Sequence, residues 1–195
     1  MLSLKDRIEL LEQDLTATPP RISSYRDLPF AILRYDPHEE WQLRRELGLL
    51  EARLQAAGKR TSRASLGRLL WAAVERCEGV EAISELERSR GFEEAERQVA
   101  TYLSDPDWAA LPDLLVARLE GLDPKPDVMF LVRASAMAPS AYHMSKLLDE
   151  LHGRTAVPII LCYPGTLEPG SVAGLRFMDL SGREASGNYR VKIYG

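Results

Sequence analysis

Four places in the chain carry residue types that chemistry needs, and spacing decides what each can do. Gly58-Lys59-Arg60-Thr61 has the glycine and lysine of a phosphate loop. Such a loop also needs a glycine five positions earlier, so that backbone amides wrap the phosphates, and a hydroxyl directly after the lysine to reach magnesium. Arg53 and Arg60 hold those places, so Gly58 reads as a helix stop. Asp36, His38, Glu39 and Glu40 offer the donors of a magnesium or zinc cluster. The same order is also that of a helix start: Asp36 caps, Pro37 takes the first position, and the glutamates favour the positive end of the dipole. Capping is the favoured use. His143 and His152 lie nine residues apart on one predicted helix and project to nearly opposite faces, so they share no ion,.

Nucleophiles fare no better. Cys162 precedes Tyr163-Pro164-Gly165, without the arginine a cysteine phosphatase loop requires. Alternation places it inside a sheet, where cysteine behaves as a small hydrophobe. Gly170-Ser171-Val172-Ala173-Gly174 lacks the spacing of a nucleophile elbow,. No catalytic residue, metal ligand or cofactor is therefore assigned, and the protein is read as a non-enzyme.

What remains is positional. In open parallel sheets, ligands settle outside the carboxyl ends of the strands. The predicted ends present Arg34, Tyr35 and Asp36, then Arg133 and Ser135, then Tyr163, Gly165 and Thr166. Arginines beside tyrosines could hold an anion or a partner's carboxylates. Internal ion pairs with Asp36 or Asp179 would use the same charges and are the favoured assignment.

These residues depend on the elements that place them. Residues 28–35, 128–133 and 157–163 are apolar runs that stop at polar or turn residues, as strands buried on both faces do,. A short second strand is expected within residues 59–66. Helical spacing marks Leu4, Ile8, Leu11 and Leu15, then Leu43, Leu47, Leu50 and Leu54, then Met144, Leu147, Leu148 and Leu151,. The first of these helices is expected to pack on its own sheet. Strand, helix and strand with short connections imply right-handed crossovers and parallel strands. Residues 79–122 are helical in period and acidic, an insertion-like region whose charges mostly face solvent,. Residues 175–180 and 189–194 read as strands at one sheet edge, joined by a turn through Ser181-Gly182, and an antiparallel pair is one arrangement open to them. After the first strand, where a Rossmann domain turns on glycines, Arg34-Tyr35-Asp36-Pro37-His38 has none,. The expected fold is α/β: a single three-layer domain over residues 1–195 with a mostly parallel, Rossmann-like but degenerate sheet, a helical insertion after the second strand, and terminal strands at the edge.

Composition narrows the partners. A net charge of −4 gives no global pull toward nucleic acid or anionic membrane,. Arg183, Arg190 and Lys192 are the only local charge behind a DNA-binding reading. Two cysteines make no disulfide framework, which fits a reducing compartment,. Residues 1–9 reach charge at once, unlike a signal peptide. A cytoplasmic protein without a membrane segment is expected.

Three segments also carry a family resemblance: residues 28–37, residues 158–165, and the closing Gly187-Asn188-Tyr189-Arg190-Val191-Lys192-Ile193-Tyr194-Gly195. They resemble the BrxB family of bacteriophage-exclusion (BREX) defence systems, from about Leu4 to Gly195. The resemblance implies a small component working beside a methyltransferase, large ATPases and the alkaline-phosphatase-like protein PglZ, with PglZ as the direct contact. It carries over no catalytic motif. A non-catalytic adaptor is thus the leading expectation. The alternative is a degenerate nucleotide-binding or NTPase-like domain in which Arg34, Arg133 and residues 163–166 hold phosphate without a Walker loop.

Overall fold

A computed structural model of the protein describes residues 2–22, 28–138, 141–167, 174–180, 189 and 191–195. Ser3 opens α1 (Leu4–Thr16) with a capping box, accepting the Asp6 amide while the Asp6 carboxylate accepts the Ser3 amide at 2.9 Å,. Leu4, Ile8, Leu11 and Leu15 form its buried face, which lies on β1 (Phe30–Tyr35) of its own sheet. Asp36 then caps a 3-10 turn, Pro37–Glu39, by accepting the His38 amide at 2.9 Å, and α2 (Glu40–Ala56) follows. After β2 (Arg60–Ser65) come four helices: α3 (Leu66–Cys77), α4 (Gly79–Arg90), α5 (Phe92–Ser104) and α6 (Leu111–Leu119). β3 (Asp127–Val132) leads through a 3-10 turn, Ala134–Met137, to α7 (Met144–Leu151) and β4 (Ile159–Leu167). Two short strands follow, β5 (Leu175–Phe177) and β6 (Lys192–Tyr194).

The sheet runs β2-β3-β4-β1-β6, with every neighbouring pair parallel. Alternation sorts its side chains into two cores. Ala31, Leu33, Tyr35, Phe130, Ile160 and Cys162 meet α1 and α2 on one face. Phe30, Ile32, Met129, Leu131, Ile159 and Leu161 meet α3, α6 and α7 on the other. The three inner strands β3, β4 and β1 are therefore buried on both faces, which explains their unbroken apolar runs,.

The edge strand β2 is held differently. Arg60 clasps its register partner Asp127 with two hydrogen bonds of 2.7 and 2.6 Å, and Arg63 clasps Glu51 of α2 with two of 2.6 Å. Bidentate ion pairs substitute here for apolar burial, so the segment reads as polar in sequence.

Some expectations are corrected. β5 pairs antiparallel with the end of β4 and β6 pairs parallel with β1, so the two strands do not pair with each other; the turn at Ser181-Gly182 lies outside the described residues. His143 and His152 flank α7 as its capping positions instead of lying on it. The insertion-like stretch is three helices, and α4 has no buried residue. No helix among the described residues is long and apolar enough to cross a membrane.

Candidate functional site

At the carboxyl ends of β2 and β3 the sheet opens into a cavity of about 380 Å³. α2 supplies one wall, where Leu43 and Leu47 turn toward Val132 at the end of β3. Ser65 ends β2 and caps α3, its hydroxyl accepting the Arg68 amide at 3.3 Å, so the positive end of that helix opens here,. Leu69, one turn into α3, adds to the apolar wall.

Five arginines line the same space: Arg44, Arg63, Arg68, Arg118 and Arg133. Two are neutralised. Arg44 donates to Glu40 at 2.8 Å and Arg63 is clasped by Glu51, which raises its already high pKa through that hydrogen bond. Arg68, Arg118 and Arg133 have no acidic partner among the described residues. Glu40, the one acid in the lining among the described residues, is occupied on both oxygens, by Arg44 and by the Tyr35 hydroxyl at 2.5 Å. Burial, and then that bond to Glu40, push the Tyr35 phenol far up. The cavity thus carries a local positive excess in a chain of net charge −4. Such a set of groups can bind and orient an anion.

The eight residues expected at the strand ends fall into separate places. Arg133 lines the cavity from a left-handed backbone conformation, φ 61°, directly after β3. Tyr35 reaches it through Glu40. Asp36 is spent on capping. Ser135 sits in the 3-10 turn, its carbonyl accepting the Ala138 amide at 3.1 Å. Arg34, in contrast, is buried, donating from Nη1 to the Gly165 carbonyl at 3.2 Å. Burial, and then Arg7, lower the pKa of its guanidinium. Tyr163 is fully buried between the rings of Phe177 and Tyr189, at 5.4 and 5.9 Å. Thr166 donates to Asp179 at 3.1 Å.

Neither arginine pairs with Asp36 or Asp179 among the described residues; Asp179 meets Arg176 at 3.7 Å. The Cys162 thiol is buried and pushed up by that burial, so it stays protonated,. No group of three His, Cys, Asp or Glu among the described residues is placed to hold a metal ion. Arg183, Arg190 and the serine of the Gly170–Gly174 stretch lie outside the described residues.

Reading the sequence missed Arg63, Arg68 and Arg118. The first two flank a capping serine at a strand-to-helix junction, a local signal that was present. Arg118 joins them only because α6 packs on α3, and no spacing announces that.

A family model described as BREX protein BrxB matches residues 62–193, from β2 to β6. It takes in the second resembling segment and most of the third, and leaves residues 28–37 outside. No curated protein and no solved structure matches the chain.

Proposed function

We propose, from the premise that the chain belongs to the BrxB family and is a component of a BREX antiphage defence system, that it works as a non-catalytic adaptor. It docks on a larger protein of the same system, of the PglZ type, in the bacterial cytoplasm. The observation that carries this reading is the position of its tryptophans. The chain has three, and all are exposed: Trp41 at 77%, Trp71 at 57% and Trp108 at 42%. Tryptophan buries more apolar surface than any other side chain and is over-represented among residues that dominate protein interfaces. Two of the three are braced. Arg44 lies 4.5 Å over the Trp41 ring, and Trp108 sits 5.1 Å from the ring of Tyr102. A ring already held in place loses little entropy on docking.

The non-catalytic part of the reading is supported by the cavity lining. Its only carboxylate among the described residues is held by two donors, and its serine caps a helix.

Co-expression with PglZ from the same system, followed by purification on a tag, tests the reading. A stable complex is expected, and alanine at the tryptophans of the interface is expected to weaken it by about thirtyfold each, as for residues that dominate an interface. Absence of a complex at about 1 μM of each protein would remove the adaptor reading.

A further inference from the structure

We propose that the arginine-lined cavity at the ends of β2 and β3 binds a small anion bearing two or more phosphates, a pyrophosphate group free or carried on a nucleoside. This inference does not rest on the adaptor reading. Three independent features converge on it. The cavity, about 380 Å³, has the size of a small-ligand site and not of a protein docking face,. Three of its guanidiniums, on Arg68, Arg118 and Arg133, lack a counter-charge among the described residues. A pyrophosphate group, with about three negative charges at neutral pH, would match them, and planar guanidiniums grip its oxygens two at a time.

The third feature is local geometry. Ser65 ends β2 and caps α3 at the cavity, so the positive end of a twelve-residue helix adds to the arginine charge,. Arg133 meanwhile stands in a conformation that a branched or long side chain avoids,. Leu43, Leu47, Leu69 and Val132 give the same cavity an apolar wall. That wall has no role for inorganic pyrophosphate and suits the body of a nucleoside.

The neighbouring rim is built differently. Arg34 is buried, with Nε and Nη2 unbonded among the described residues, and it does not line this cavity. Of the phosphate arrangement expected from the sequence, with Arg34, Arg133 and residues 163–166, the proposed site takes in Arg133, beside Arg68 and Arg118.

Titration calorimetry on the full chain, with pyrophosphate, ADP and adenosine as separate probes, tests the site. Pyrophosphate or ADP is expected to bind, adenosine not to, and affinity to fall as salt is raised. ADP binding well above pyrophosphate identifies the carrier as a nucleoside; equal affinities identify the phosphates alone. R68Q and R118Q are each expected to weaken binding about tenfold, since each removes a charged hydrogen-bond donor. R88Q, on the exposed outer helix α4, should leave it unchanged. No heat from either phosphate probe at about 1 mM overturns the proposal, as does binding that survives in the R68Q/R118Q double variant. A 5′-hydroxyl oligonucleotide that binds more tightly than ADP and is lost in the same double variant would also overturn it, because the cavity would then serve a nucleic-acid backbone.

Discussion

Arg34 is the last residue but one of β1 and Arg133 follows β3 on one rim of the same parallel sheet, yet their surroundings are opposite. Around Arg34 the rim is closed. β4 continues past its partner to Leu167, β5 folds back on it, and the Tyr163 ring meets Phe177 and Tyr189 edge to face. Around Arg133 no strand among the described residues folds back, and α2 and α3 wall a cavity. The carboxyl edge of a parallel sheet is therefore only a candidate location for a site. Whether the next segment covers it decides which half stays available to a ligand.

Two substitutions in the closed half test whether it is packed as tightly as this contrast requires. Tyr163→Ala removes a fully buried ring with two aromatic neighbours. It is expected to cost about 3–5 kcal/mol in urea unfolding, as other large-to-alanine core changes do. A loss near zero would mean that the closed half is not a core. Gly165→Ala comes next. A methyl group there would stand 2.2 Å from the Arg176 carbonyl oxygen and 2.8 Å from the Tyr163 ring. Because the first of these is backbone, the strand pair itself must move, and a loss of about 1–3 kcal/mol is expected in thermal unfolding. Unchanged stability would show that β5 does not lie against β4 as described.

The same contrast separates what the sequence disclosed from what it withheld. The start of α2 was legible because Asp36, Pro37 and Glu39 act on backbone within three residues of themselves. β1, β3 and β4 were legible because burial on both faces leaves an apolar run that no helix of that length needs. β2 was only faintly visible, since Asp127 and Glu51, far away in the chain, supply what holds it. The site was split in the same way. Arg133 could be found from its place after a strand, whereas Arg34 is met by the Gly165 carbonyl and by Gly195, which arrive more than a hundred residues later.

The smallest expected effect discriminates best between a surface residue and a working one. Arg133 holds φ 61° and ψ 40°, a left-handed conformation that costs a non-glycine residue roughly 1–2 kcal/mol,. Glycine relieves that cost and gives back about half of it through the greater freedom of the unfolded chain. Arg133→Gly is thus expected to raise stability by about 0.5 kcal/mol in urea unfolding while weakening binding of pyrophosphate or ADP. A rise in one measurement with a fall in the other is the pattern of strain kept for a ligand, since a side chain held only by packing would lose stability when truncated. If the glycine variant is instead less stable than the parent, Arg133 is anchored by contacts of its own, and the open half of the rim differs from the closed half in shape alone.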